Sequence, residues 1–251
     1  MNKKNYLLDL NKSKKPFIIY KSDKGFDLYT DFSKKIILNN NNIEKFINKN
    51  NRLKFPYKET DLFIGFFGYE ILNNLIDVKI KKQKTINFPK GIFYKPETKI
   101  KLPNNFEYKK IRSLNSNDLF KININKKSYK VIFDKFKKKI KSGETYQIKI
   151  CTKYSNKSVI DALDFFSRLV KSNMAPEAFM IKDENYSIIS CSPENLITKK
   201  NNFITTKPIA GTLKKTKKLN KNKALTFFRK NLKESKEHNM IVDMERNDLS
   251  K

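Results

Sequence analysis

The sequence predicts an α+β fold, with antiparallel sheets flanked by helices. Three observations lead there: short runs of alternating apolar residues recur along the chain, two longer segments carry apolar residues at helical spacing, and successive strands are joined as hairpins with no repeating strand–helix–strand unit. The strand-like runs are PFIIY at 16–20, FDLYT at 26–30, KKIIL at 34–38, GIFYK at 91–95 and TYQIKIC at 145–151. Each pairs β-branched or aromatic residues with polar neighbours, as a half-buried strand requires. Residues 128–141 instead place Val131, Ile132, Phe136 and Ile140 on one helical side, and residues 158–171 do the same with Ile160, Leu163, Phe166 and Leu169. Ser128 and Ser158 stand where N-caps belong. The segment FMIKDENYSIIS at 179–190 reads as a hairpin around a polar turn, and LITKK followed by NNFITT as another. A final helix is expected from Asn222 to Met240.

Residues 103–127 are rich in Asn, Lys and Ser and poor in apolar anchors, the composition of a linker. This divides the chain into an N-terminal module at 1–102 and a second module at 128–251.

Composition narrows the class of function. A chain of 251 residues with 38% hydrophobic and 12% aromatic content is too apolar for a disordered polymer and long enough to bury a core. No apolar run reaches the roughly 18 residues of a membrane span, and the N-terminus MNKKNYLLDLNKSKK lacks a signal-peptide core. No membrane partner and a cytoplasmic location are therefore expected. Cys151 and Cys191 stand far apart with no metal-binding spacing, so two reduced thiols are expected.

The formal charge of +30 invites a nucleic-acid reading. Yet only five of the 55 basic residues are Arg (Arg52, Arg112, Arg168, Arg229 and Arg246), and Lys rises together with Asn and Ile along the whole chain. That pattern is the mark of A- and T-rich codons; a binding patch would favour Arg and concentrate it on one face. No specific nucleic-acid partner is expected.

The standard catalytic signatures are missing: there is no Gly-rich phosphate loop, GxSxG elbow or HExxH, and His238 is the only histidine. What remains is a series of small-residue turns beside carboxylates, namely SGETYQ at 142–147, SCSPEN at 190–195, KPIAGT at 207–212 and KESKEHNMIVDMERND at 233–248. Any one of these alone is ordinary turn chemistry.

Taken in order, together with IGFFGYE at 64–70, these segments resemble the chorismate-binding enzymes, component I of anthranilate synthase and aminodeoxychorismate synthase. The family wording is close to GYFGYD, GDIYQV, SPERF, PIAGT or PIKGT, and AEHLMLVDLxRND. Five collinear matches are far more specific than one. The resemblance implies an α+β chorismate-binding fold, chorismate as substrate, Mg²⁺ as cofactor, and a glutamine amidotransferase subunit that supplies ammonia. By this resemblance Glu194 is the general acid that protonates the departing hydroxyl, its pKa raised by partial burial behind the Ser-Pro turn. Glu237 is a Mg²⁺ ligand, supported by Glu234 one turn earlier. Ile209, Ala210, Gly211 and Thr212 form the turn that binds a substrate carboxylate through backbone N–H and hydroxyl donors.

Gln147 occupies the place where the water-adding relatives carry a Lys base. A neutral amide cannot act as that base, which implies ammonia as nucleophile. Ala210 stands where many aminodeoxychorismate synthases carry a nucleophilic Lys, which favours direct amination to anthranilate and pyruvate. RNDLS at 246–250 and the missing LLES-type segment point instead to 4-amino-4-deoxychorismate as the alternative product. Family members continue beyond RND through further ligands and anion-binding turns. The fold is therefore expected to be incomplete, with exposed apolar faces, and the 251-residue chain alone inactive or serving to dock the amidotransferase.

Overall fold

A computed structural model describes residues 3–50, 62–71, 88–104, 108 and 119–250. The first element is helix α1 (Lys3–Lys12), followed by β1 (Phe17–Ser22) and β2 (Gly25–Ile37). FDLYT and KKIIL, two strands by sequence, form this single long strand. A register shift between Phe32 and Lys34 absorbs the polar interruption, and Asp31 takes a positive φ of 52° there. Helix α2 (Ile43–Asn50), β3 (Ile64–Phe67), a 3-10 turn at Tyr69–Ile71 and β4 (Gly91–Leu102) follow. Next come β5 (Lys121–Ile122), α3 (Lys126–Lys141), β6 (Tyr154–Ser155) and α4 (Ala162–Asn173). The last part of the chain holds β7 (Glu177–Lys182), β8 (Ser187–Ser192), β9 (Thr198–Lys200), β10 (Phe203–Thr205), α5 (Lys221–Lys230) and α6 (Leu232–Leu249). The expected mixture of antiparallel sheet and helix is what forms.

The described residues fall into two compact units. The first joins residues 1–107 with 166–251, and the second is 108–165. These boundaries do not follow the linear division at 102 and 127. Strand pairing is non-local: β1 lies antiparallel to β7, with Ile18 opposite Ile181 and Ile19 opposite Met180, so one sheet draws on both ends of the chain. Most of the expected linker, residues 105–107 and 109–118, lies outside the described residues.

In the first unit six strands run in the order β3-β4-β2-β1-β7-β8, every neighbour antiparallel. The middle strands are buried on both faces, which is why FII in β1 carries no polar alternation. Successive side chains point to opposite faces. Ile18 joins Tyr29, Ile92, Tyr94 and Ile181 in one cluster, while Ile19 faces the other way with its cross-strand neighbours Leu28 and Met180, all three fully buried. On that second face Phe26 packs edge-on against Phe166 of α4 at a centroid distance of 6.0 Å. α1 is tied to the sheet through Asn11, which accepts from Lys182 of β7. α2 contributes Ile43 to a smaller cluster with Leu38 and Ile71.

A buried polar group locks the sheet across strands. Asp183, at the end of β7, accepts from Lys35 of β2 at 2.6 Å, from Tyr94 of β4, and from Tyr186 at 3.1 Å. Burial alone would raise its carboxyl, but the donors from Lys35, Tyr94 and the Glu184 N–H hold it below the ordinary range. Burial and the bond to Asp183 push the Tyr94 phenol well above its usual value.

Beyond these strands three of the helices are shallow. α3, α5 and α6 contain no fully buried residue, and large apolar side chains such as Leu119, Phe120, Val131, Val159, Leu196, Phe203 and Leu232 are exposed. In the second unit, α3 starts at Lys126 with Asn125, two residues earlier than the sequence placed it, because Asn125 and not Ser128 accepts the capping bond. α4 starts at Ala162, where Asp161 caps the N–H groups of Leu163 and Asp164 in place of Ser158. Residues 145–151, expected as a strand, are irregular: alternation makes a strand only with a partner, and no described strand pairs with them.

The Asp183 cluster makes two measurable predictions. Because its pKa is lowered on folding, its stabilisation is complete above the unfolded value of about 3.9 and fades as pH falls through and below it. Urea midpoints recorded from pH 7 to pH 3 should therefore fall more steeply for the wild type than for Asp183→Asn. At pH 7, Asp183→Ala, which leaves Lys35 and two phenols without their shared acceptor, should cost about 2–4 kcal/mol.

Candidate active site

The site residues of the first unit gather where β8 ends and the chain turns toward α6. β7 and β8 pair with Glu177 opposite Ser192, so the sheet edge delivers the SPEN turn at a fixed place. Ser192 closes that turn: its hydroxyl donates to the Glu194 carbonyl at 2.9 Å and accepts from the Glu194 N–H at 3.3 Å. Pro193 then fixes φ within it. The Glu194 carboxylate accepts the Ile209 N–H at 2.9 Å. Two segments that the sequence had singled out separately, SPEN and PIAGT, are thus joined by one bond between side chain and backbone.

The PIAGT segment lies along α6. Thr206 donates to Glu245 at 2.6 Å near the end of that helix, and its hydroxyl also meets the Leu196 carbonyl at 3.0 Å. Five residues later Gly211 lies against Glu234 in the first turn. Eleven residues of α-helix measure about 16 Å, close to the length of five extended residues. The segment therefore runs antiparallel to α6.

Gly211 is required there for two reasons. Its φ is +79°, in the left-handed region, and a Cβ would stand 2.6 Å from Glu234 Oε2 and 2.7 Å from Phe228 Cε1. Ala210 is half-buried, while Ile209 and Thr212 on either side are exposed. Glu234 is half-buried and accompanied by Lys233 at 3.8 Å. Glu237 follows one turn later, also half-buried.

The helix itself differs from expectation. In place of one run from 222 to 240 there are two helices, because Asn231 takes an extended conformation (φ −85°, ψ 99°), ends α5 and caps α6 by accepting the Glu234 N–H at 3.3 Å. That break lets α6 start at the turn that carries Glu234. Glu194 also differs: its side chain is exposed at the turn, where partial burial was expected. The Ser-Pro turn holds the backbone but supplies no apolar cover.

Gln147 belongs to the second unit. It is exposed on the irregular stretch after α3, its carbonyl accepting from Thr145 at 3.2 Å. Cys191 on β8 is half-buried, and burial pushes its thiol up even beside Lys21, so it stays protonated near neutrality. Both cysteines are free.

Sequence reasoning missed Thr206, Glu245 and Phe228. A signal for Glu245 was present: positions 234, 238, 241 and 245 recur on one helical face, and an acidic residue at the far end of that stripe is placed to anchor a segment lying along it. Among the described residues no three His, Cys, Asp or Glu side chains converge as a complete metal cage. Glu234 and Glu237 offer two hard oxygen donors one turn apart. That donor set fits Mg²⁺, which takes one or two carboxylates from a protein and completes its shell with substrate and water.

Residues 3–251 match the family of the chorismate binding enzymes. The chain belongs to that family. It is 30% identical over 239 residues to anthranilate synthase component 1 of Buchnera aphidicola subsp. Pemphigus spyrothecae, a match covering 90% of this chain and 43% of that protein. Over 119 residues it is 34% identical to aminodeoxychorismate synthase component 1 of Bacillus subtilis, covering 47% of this chain and 25% of that one. The fold is that of the crystal structure of anthranilate synthase component I from Streptococcus pneumoniae. The TM-score is 0.66 at 21% identity, over 92% of this chain and 59% of the other. The chain thus spans under half the length of the curated relatives it matches. Among the described residues no helix is long and apolar enough to cross a membrane.

The Gly211 contact predicts that Gly211→Ala destabilises the chain by about 1–3 kcal/mol, from the positive φ and the clash together. Pairing it with Glu234→Ala should recover part of that loss in urea titrations, because the nearest clashing atom is then removed.

Proposed function

We propose that this chain supplies the acid and the anion-binding turn of a synthase that aminates chorismate with ammonia, giving anthranilate and pyruvate. The observation that carries the reading is the bond from the Ile209 N–H to the Glu194 carboxylate, which brings the acid within reach of the turn at Ile209–Thr212.

The chemistry follows from the residues. Chorismate carries two carboxylates and loses its C4 hydroxyl as ammonia adds at C2. Glu194, exposed at the turn, reaches a bound ligand and in its protonated form gives a proton to that hydroxyl. A carboxylate of chorismate meets the backbone beside Gly211, where the lack of a Cβ permits close approach, and the Thr212 hydroxyl is a further donor. Glu237, with Glu234 one turn before it, would hold Mg²⁺, which when bound offsets charge on a substrate carboxylate. Gln147 is neutral and makes no base for water, in keeping with ammonia as nucleophile; a glutamine amidotransferase is the proposed source. A cytoplasmic location goes with this proposal.

A second product has its own support. RNDLS at 246–250 favours 4-amino-4-deoxychorismate, while Ala210, with no amine to attack the ring, favours anthranilate.

Turnover tests the proposal. Chorismate, ammonium and Mg²⁺ are supplied to the purified protein and to its Glu194→Gln variant. The wild type should release anthranilate and pyruvate. Glu194→Gln should lower kcat by at least about a hundredfold, the lower end of a general acid's contribution. Full activity in Glu194→Gln, or no turnover of chorismate by the wild type, would overturn the reading, and anthranilate fluorescence separates the two products.

A further inference from the structure

The turn that presents Glu194 is held at both ends, and the second hold lies outside the motif. Glu177, the first residue of β7, uses its two carboxylate oxygens for two different partners. Oε2 accepts the Tyr20 hydroxyl of β1 at 2.6 Å, and Oε1 accepts the Asn195 side-chain amide at 3.2 Å. Asn195 passes the restraint onward, since its Oδ1 accepts the Thr198 hydroxyl at 3.0 Å where β9 begins. Asn195 directly follows Glu194, and Ser192 directly opposite Glu177 closes the other side of the turn. A hydrogen-bonded relay therefore runs from β1 through the first residue of β7 to the residue beside the proposed acid.

We propose that Glu177 is a positioning residue for Glu194, acting through Asn195 and anchored by Tyr20. The proposal deepens the function proposed above and rests on it for the meaning of Glu194, though not for the geometry. Only a group with two acceptors serves both donors: Tyr20 brings an O–H and Asn195 an N–H, so a carboxylate suits the place where an amide serves one of them. Burial, with the bond to Glu177 next, pushes the Tyr20 phenol up to about 12, so it remains a donor throughout the neutral range. Tyr20 is itself fixed, because its strand pairs with β7 at Tyr20 opposite Phe179. Glu194 is exposed and has no apolar wall to hold it. Its placement then depends on the bonds of its turn, and without them its carboxylate leaves the Ile209 N–H.

The Ile209 amide is the reporter, because it is bonded to the Glu194 carboxylate. Amide exchange of the ¹⁵N-labelled 251-residue chain is compared for the wild type, Glu177→Ala, Glu177→Gln, Asn195→Ala and Tyr20→Phe. Loss of the relay should speed Ile209 exchange by about three- to tenfold in Glu177→Ala and Asn195→Ala, the worth of one hydrogen bond. Glu177→Gln should restore part of the protection, and the amides of Ile18 and Ile181 in the core strands should stay unchanged. A purely structural role for Glu177 would speed the strand amides and spare Ile209. Unchanged Ile209 exchange in both Glu177→Ala and Asn195→Ala would overturn the proposal. Should Glu177→Ala unfold, Tyr20→Phe, which removes one bond, and Asn195→Ala, which removes the bonds to Glu177 and Thr198, decide it in the same way. Adding chorismate to each sample separates the two claims: an intact relay with no response to chorismate contradicts the proposed function and leaves the positioning role standing.

Discussion

The antiparallel pairing of β1 with β7 is the constraint on which the rest depends. It joins residues some 160 positions apart, closes the six-stranded sheet, and buries FII of β1 against the apolar run of β7 on both faces. Such a pairing brings a large loop-closure cost, which grows only slowly with loop length and is offset here by fully buried Ile, Phe and Met side chains. Everything at the site inherits that placement. β8 is registered on β7, the Ser192–Asn195 turn leaves β8 at a fixed point, and Glu177 stands opposite it.

A second constraint acts on the far side of the turn. α6 meets the stretch 206–211 at two places, through the bond from Thr206 to Glu245 and at Gly211, where Glu234 leaves no room for a Cβ. The break at Asn231 goes with it, because it begins a new helix whose first turn carries Glu234. The sheet thus positions Glu194 and the helix lies along the Ile209–Thr212 turn, with the Glu194–Ile209 bond linking them. The division of labour is between a deeply packed support and a shallow, solvent-facing working surface, as expected where function is carried by loops on a rigid scaffold.

Much of this was legible in the sequence, and the limits have physical causes. The strands of PFIIY, GIFYK and FMIKDENYSIIS were readable because their alternation or burial is local. The order of motifs identified the family; in the structure Glu194 is bonded to the Ile209 N–H and Gly211 lies against Glu234. What was hidden was non-local or contextual. Nothing in PFIIY says that it pairs with residues 177–182, so the linear division into modules missed the sheet that spans them. TYQIKIC alternates like a strand, but alternation supplies no partner. Asn125, Asp161 and Asn231 won the capping positions from Ser128, Ser158 and an unbroken helix because side-chain acceptors at those places satisfy N–H groups that the helical period alone does not locate. Glu177 could not be found from its neighbours in sequence; only the folded register sets it opposite Ser192.

The central claim is that Glu194, Ile209, Gly211 and Glu234 form one surface that receives chorismate. Chemical-shift mapping of the labelled chain with chorismate, with and without Mg²⁺, tests it most directly. The account predicts that the amides of Ile209, Ala210, Gly211 and Thr212 shift together, and that Glu234 and Glu237 follow only when Mg²⁺ is present. Shifts confined to the Lys-rich surface of α3, weakening with salt and indifferent to Mg²⁺, would contradict it.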